Sequence, residues 1–177
     1  MKKVTGFFAL CTACILLSWT DIPFISGHQA QADRAFVMKA ARGNLAEIAA
    51  GKIAASKAAS PDVRDFGQMM VADHTLALKK LDSIVRKNNG AALPTEPDAK
   101  HQKKAQELEA LSDKQFDAAY IDAQIKDHKE TIALFEKESS GGQDPALKSY
   151  AIETLPQLRT HLMRIQAIAS ASGTAGQ

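Results

Sequence analysis

The stretch SPDVRDFGQMMVADHTLALKKLDSIVRKNNG, from Ser60 to Gly90, contains the start, the body and the end of one long helix. Serine followed by proline and an acidic residue is typical of a helix N-terminus, because proline lacks a backbone N–H and the acid lies at the positive end of the helix dipole. Apolar residues then recur at intervals of three and four, and the stretch closes on Asn-Asn-Gly, a helix stop signal. We therefore predict a helix over most of this stretch.

Similar caps and breakers divide the rest of the chain into further helical segments. Long helices are predicted from Asp33 to about Ala59, from Ser112 to Ser139 with Gln115 completing a capping box, and from Asp144 to about Ser170, with a weaker helix over residues 99–110. Strand-like alternation is absent. Two short connections and one long one suit two antiparallel hairpins joined by a crossover. The predicted fold is all-α: a ferritin-like four-helix bundle with a long crossover, carrying a short helix, between the second and third helices.

The first 32 residues have the features of a secretory leader. Two lysines precede an apolar run over residues 7–19, and Ala30-Gln31-Ala32 forms an A-x-A cleavage site. The run is shorter than the roughly 20 residues of a membrane-spanning helix, which disfavours an anchor. We expect export to the periplasm or the extracellular space, with no membrane span in the mature chain. The predicted division is a cleaved signal peptide over 1–32, the four-helix bundle over 33–170 and a flexible tail over 171–177.

Charge and cysteine content limit the function of the mature chain. Removing the leader takes away two of the 22 basic residues and one of the 20 acidic ones, which leaves 20 against 19. This balance gives no sign of nucleic-acid binding. Both cysteines, Cys11 and Cys14, lie in the leader, so thiolate catalysis, thiolate metal ligands and disulfides are excluded from the mature chain. Protein partners and the oligomeric state are left open.

Three histidines occupy helix positions where the apolar pattern calls for an apolar residue. His74, His128 and His161 fall on the apolar stripes of the second, third and fourth long helices. On the first helix the stripe contains one acid, Glu47, so each long helix places one ionisable residue inward. Asp73 and Asp127 directly precede two of the histidines.

Those two aspartates lie about 100° around the helix from the adjacent histidine, and we expect them to reach histidines on neighbouring helices. Two interpretations stay open. The sequence favours a hydrogen-bond network that fastens the core of a non-enzymatic binding or structural protein, since buried imidazoles need partners. The alternative is a metal site for zinc, copper, nickel or iron. Its candidate ligands are Glu47, His74, His128 and His161, and the candidate residues that orient them are Asp73 and Asp127.

Two absences narrow the chemistry. No nucleophile or oxyanion feature accompanies the histidines, which disfavours an enzyme. No Glu-x-x-His motif occurs in the chain, and this motif is the hallmark of the di-iron carboxylate bundles. A ferroxidase centre of that type is therefore disfavoured, even on a related fold.

Several segments, in order, resemble an exported bacterial family known as domain of unknown function 4142. The segments are Asp33-x-x-Phe36, Gly43-x-x-x-Glu47, MMVADH (residues 69–74), FDAAYIDAQIKDH (116–128) and LPQLRTHL (155–162). The resemblance implies a ferritin-like four-helix fold and an exported location, but it implies no assigned activity. It carries over His74, His128 and His161 with Asp73 and Asp127, without a defined role.

Overall fold

The computed structural model describes residues 27–88 and 91–173, with side chains described from residue 31 onward. Within these ranges the chain forms helices and no strand, which confirms the all-α prediction. Most of the predicted signal peptide and the last four residues of the predicted tail lie outside the described ranges. The helices are α1 (Gly27–Lys57), α2 (Pro61–Lys87), α3 (Ala99–Glu109), α4 (Asp113–Gly141) and α5 (Pro145–Ala171). None of them combines the length and apolar character that crossing a membrane requires.

Two helical hairpins pack together to form the bundle. The turns at residues 58–60 and 142–144 are too short to do more than reverse the chain, so α2 returns along α1 and α5 returns along α4. The hairpins meet through α1 against α4 and α2 against α5. As predicted, the long crossover carries a short helix, α3, which packs on α1 and α4. This side of the bundle is therefore covered by a fifth helix.

The core is built from apolar residues at helical spacing and forms two clusters. Along each of α2, α4 and α5, the inward histidine lies between residues of one cluster and residues of the other. One cluster contains Phe66, Phe116 and Tyr120, and the other contains Phe36 and Tyr150. Apolar burial of this kind is the main stabilising contribution, since the described residues contain no cysteine that could form a disulfide.

Helices α1 and α2 approach each other closely at Gly51 and Gly67. A Cβ atom built on Gly51 would lie 2.7 Å from the backbone oxygen of Gly67, closer than real Cβ atoms come. Glycine at both positions therefore permits backbone contact between the two helices.

Three details of the helix ends differ from the sequence predictions. Helix α1 begins at Gly27, before Asp33, so Asp33 is not an N-cap. Its carboxylate instead accepts the backbone N–H groups of Gln143 and Asp144, in the turn before α5. Ser112 does precede α4, but its side chain makes no capping hydrogen bond, so the predicted capping box does not form. Helix α4 also continues to Gly141, past the predicted helix end at Ser139.

Candidate metal centre

Histidines from three helices meet in the middle of the bundle. His74 of α2, His128 of α4 and His161 of α5 are 5%, 1% and 3% exposed, so all three are cut off from bulk water. Their ring centroids are 5.5 to 5.9 Å apart. One ring nitrogen from each histidine lies within 4.8 Å of the other two. The described residues contain no other such grouping of histidine, cysteine and acidic side chains.

The apolar stripes of the helices place these rings. His74 lies one turn after the fully buried Met70, and His161 lies between the buried residues Leu158 and Ile165. The ring of Phe66 approaches two of the imidazoles edge-on, with centroid distances of 6.4 and 6.5 Å. Because a polar ring at such a position costs stability unless it is bonded, the partners of each ring nitrogen are informative.

Oxygen atoms from neighbouring helices hold two of the rings. The Nδ1 of His74 lies 2.8 Å from Oδ1 of Asn44 on α1, and the amide nitrogen of Asn44 is itself used in a bond to the carbonyl of Ala40. The Nε2 of His161 lies 2.9 Å from a carboxylate oxygen of Asp73 on α2. An oxygen atom of this kind only accepts, so in both rings the bonded nitrogen carries the proton.

The third ring, that of His128, is also bonded to an oxygen acceptor, but this acceptor belongs to its own helix. The Nδ1 of His128 lies 2.9 Å from the backbone oxygen of Gln124, one turn earlier in α4. A carbonyl oxygen also only accepts, so the His128 proton is on Nδ1. Each imidazole thus donates one N–H to an acceptor, and in a neutral ring the second nitrogen carries a lone pair.

Those second nitrogens have no hydrogen-bond partner among the described residues. They are Nε2 of His74, Nε2 of His128 and Nδ1 of His161. Lone pairs cannot bond to one another, so neighbouring rings cannot satisfy them. Three buried acceptors in one place are an exception to the rule that buried polar groups are paired, and a cation is the kind of group that would satisfy all three.

The surroundings also favour the neutral form of His74 and His161. Burial lowers the pKa of His74 well below its usual value of 6.5, and the rings of His128 and His161 lower it further. Burial likewise lowers the pKa of His161, although the hydrogen bond to Asp73 opposes this shift. Neutral imidazole is the form that binds metal ions.

The spacing of the rings is compatible with one ion between them. An equilateral triangle with sides of 4.8 Å has its centre about 2.8 Å from each corner. Each nitrogen would therefore move by less than about 1 Å to reach the 2.0–2.1 Å of a zinc–imidazole bond. Small rotations of the three rings are sufficient for such a displacement.

Glu47, the fourth candidate ligand from the sequence, is buried beside the histidines but is not part of their close group. Its Oε2 accepts a hydrogen bond of 2.6 Å from the side-chain amide of Gln124. Burial raises the pKa of Glu47, and the nearby His128 and the Gln124 hydrogen bond lower it again in part. Gln124 thus joins the two groups, since its backbone oxygen holds His128 and its side chain holds Glu47.

The two aspartates of the Asp-His pairs have different surroundings. The side chain of Asp73 reaches the neighbouring α5 and bonds to His161, a contact with another helix that we expected of both aspartates. Asp127 instead forms an ion pair of 2.6 Å with Lys104 of the crossover helix α3, and no hydrogen bond to a histidine is found for it within the described chain. Asp127 therefore ties α3 to α4.

Sequence reasoning missed the two amides at the site, Asn44 and Gln124. A seven-residue register on α1 selects Gly43 as the inward position, but the α-helix repeats every 3.6 residues and drifts from that register. The buried series of α1 runs through Ala40, Asn44, Glu47 and Gly51. A strict 3.6-residue period identifies Asn44, and the same period places Gln124 one turn before His128 on the buried face of α4.

Comparison with known proteins places this fold among helical domains. A family model described as "Domain of unknown function (DUF4142)" matches residues 25–168. Similar solved structures include CopM in the Cu(I)-bound form, at 13% identity and a TM-score of 0.67 over 78% of this chain and 96% of that chain. A DUF305 fragment from Deinococcus radiodurans is 11% identical, with a TM-score of 0.69 over 79% and 96% of the two chains. At such identities the likeness shows the fold alone. No curated protein matches the sequence.

Proposed function

We propose that this chain, which belongs to the family of unknown function DUF4142, binds one transition-metal ion between His74, His128 and His161. The observation that supports the proposal is the close group of three histidine rings, in each of which one nitrogen is bonded to an acceptor and the other has no partner among the described residues. Metal-bound histidines almost always donate their other ring N–H to a carboxylate, a carbonyl or water. Here the three acceptors are a carboxylate, an amide oxygen and a backbone carbonyl.

The chemistry of the ligands favours copper. Imidazole nitrogen suits zinc, copper, nickel and iron, whereas magnesium and calcium require oxygen ligands. Three neutral imidazoles bring no negative charge into the core, and the cost of burying an ion rises steeply with its charge. Cu(I) is therefore the best match, followed by the divalent ions. The fold relative CopM is described in Cu(I)-bound and silver-bound forms, which makes these two ions natural probes.

The competing interpretation is a purely structural network. Two observations favour it: the Asn44–His74 and Asp73–His161 bonds both cross a helix boundary. Such a network, however, requires only one nitrogen of each ring, and it leaves the other three nitrogens buried without partners at a cost of about 1–3 kcal/mol each. A metal ion accounts for both nitrogens of every ring, and for that reason we propose binding as the function.

Titration of metal-free protein tests the proposal. We expect calorimetry with Zn²⁺, Cu²⁺ and Ni²⁺, and chelator competition with Cu(I), to give one saturable site per chain, tightest for Cu(I). His128→Leu should abolish the site. His101→Asn is the matched control, since His101 lies in α3 and bonds to Asp98 away from the three rings. Affinities no tighter than high micromolar for every ion, or equal binding by His128→Leu, would refute the proposal.

The proposed role is binding and not catalysis, and its predicted setting is outside the cytoplasm. Residues that could act as a nucleophile or stabilise an oxyanion are not found beside the three rings, within the part of the chain the structure covers. The proposed exported location follows from the leader sequence over residues 1–32. In an oxidising compartment a ligand set without thiolates would persist unchanged.

A further inference from the structure

A cleft of about 510 Å³ lies on the side of the bundle that α3 covers, between α1, α3 and α4. A second, much smaller cavity of about 30 Å³ is lined by residues of α1, α2, α4 and α5, and His74 and His161 form part of its wall. The two spaces share part of their lining, so they adjoin each other. The shared residues are Lys39, Gly43, Glu47, Thr131 and Leu134.

Gly43 keeps the boundary between the two spaces open. A Cβ atom built on Gly43 would meet no atom within 4 Å, which means that the space beside this position is free. A larger side chain here would extend into that space. Glycine within a helix costs up to about 1 kcal/mol relative to alanine, and no close helix contact at Gly43 offsets this cost. By contrast, the glycines at 51 and 67 are needed for helix packing.

The opposite side of the bundle is the seam between α2 and α5, which also lines the small cavity. There Asp73 of α2 reaches His161 of α5, and their hydrogen bond of 2.9 Å spans the seam between these helices. An ion approaching from that side would have to break a bond that orients one of its own ligands. On the α1–α4 side the hydrogen bond that spans the helices runs from the side-chain amide of Gln124 to Glu47, and neither of these side chains holds a histidine ring.

The charges of the large cleft do not exclude a cation. Four basic and four acidic residues line it, so its formal charge is balanced with histidine neutral. One of the basic groups, Lys104, is already paired with Asp127. Lys100 is exposed and lines only the large cleft, Lys39 is exposed and lines both spaces, and Glu47 is buried at their boundary, 8% exposed. A cation therefore meets a buried carboxylate where the large cleft adjoins the small cavity.

We propose that this cleft is the path by which the metal ion reaches the three histidines, with Gly43 keeping the passage clear and Glu47 as a carboxylate that an ion contacts on its way inward. This inference rests on the proposed metal-binding function. Glu47 then contacts the ion only during transfer and is not one of its permanent ligands. It also gives the crossover helix α3 a role, because α3 forms the outer wall of the path.

Association kinetics test the path. Full-length protein in excess is mixed in a stopped-flow instrument with a coloured Cu(I)–chelator complex, and the loss of colour gives the rate of transfer. We expect Gly43→Leu to slow transfer about tenfold or more while the equilibrium affinity stays within about threefold of the wild type, since on- and off-rates change together when only access is blocked. Gly43→Ala should give an intermediate rate.

Gly141→Leu is the matched control. Gly141 is also a helical glycine with no atom within 4 Å of a built Cβ, but it lies at the end of α4 and lines neither space. The Gly141→Leu variant should take up copper at the wild-type rate. Glu47→Gln should slow transfer at unchanged affinity, whereas a permanent ligand would lose affinity.

The outcomes separate the two proposals. Wild-type rates in Gly43→Leu, with tight binding retained, would overturn the path and leave the metal site intact. A Glu47→Gln variant with weakened affinity would return Glu47 to the ligands and overturn its transfer role. Absence of copper binding by the wild type would overturn both.

Discussion

Replacing His128 by leucine should make the metal-free protein more stable. The side chain is 1% exposed, and its Nε2 has no partner. An unpaired buried acceptor costs about 1–3 kcal/mol, and leucine removes it with little change in volume. The lost Nδ1 bond matters little, because its acceptor is the carbonyl of Gln124, which the backbone N–H of residue 128 also uses in the helix.

The expected magnitude is a gain of about 1–2 kcal/mol in the free energy of unfolding, or an increase of roughly 3–8 °C in Tm for a domain of this size. The assay is thermal and urea unfolding in the presence of a chelator, followed by circular dichroism. The same measurement with metal should reverse the order. At one hundred times the Kd an ion stabilises the wild type by about 2.7 kcal/mol, and His128→Leu should gain nothing.

The opposite pattern would refute this reasoning. If His128→Leu loses more than about 1 kcal/mol in the metal-free state, the imidazole stabilises the core by itself, as a structural network requires. A wild-type Tm that does not respond to any tested ion would lead to the same conclusion.

Three further changes give separate tests. Asp73→Asn should weaken metal binding by about 10- to 100-fold, since it removes the carboxylate that orients a ligand. Asp127→Asn should leave the affinity unchanged. Equal effects of the two substitutions in metal titrations would contradict the conclusion that only Asp73 orients a histidine. Burial, with two neighbouring carboxylates, raises the pKa of Glu138 from 4.5 to about 7. The folded state then holds a proton that the unfolded state has lost, so the contribution of Glu138 to the free energy of unfolding falls as pH rises from about 4.5 to 7. The lowered pKa values of His74 and His161 act in the opposite direction, and they are common to the wild type and Glu138→Gln. The stability of the wild type relative to Glu138→Gln should therefore be higher at pH 5 than at pH 8, and a difference that is equal at the two pH values in urea unfolding would contradict this. Gly51→Ala should destabilise the protein by about 1–2 kcal/mol, because a clash with the facing α2 backbone exceeds the gain in helix propensity. Gly43→Ala should not destabilise it. Equal melting temperatures for the two variants would contradict the close backbone contact between Gly51 and Gly67.

The apolar periodicity predicted the bundle and the inward direction of the histidines, because both depend on local helix geometry. His74, His128 and His161 each replace an apolar residue on a stripe, and a stripe faces the core in any bundle. Their convergence at one level was not predictable in this way. It depends on how far each helix is shifted along its axis relative to the others, and contacts distant in sequence set that shift.

The Asp-His pairs show where local patterns stop being informative. Asp73 and Asp127 have the same position relative to the next histidine, but α5 lies beside one and α3 beside the other. Which neighbour a helix face meets is a property of the topology. The sequence revealed the crossover helix but not the face on which it docks.

The placement of the three histidines on both hairpins has a consequence for folding kinetics. His74 belongs to the first hairpin, and the other two rings belong to the second. Neither hairpin alone carries the complete set, so an ion binds tightly only after the hairpins have docked. If docking is completed late in folding, the bound ion stabilises the native state more than the transition state. We therefore expect metal to slow unfolding strongly while leaving the folding rate nearly unchanged, so that the loaded protein is distinguished chiefly by its lifetime.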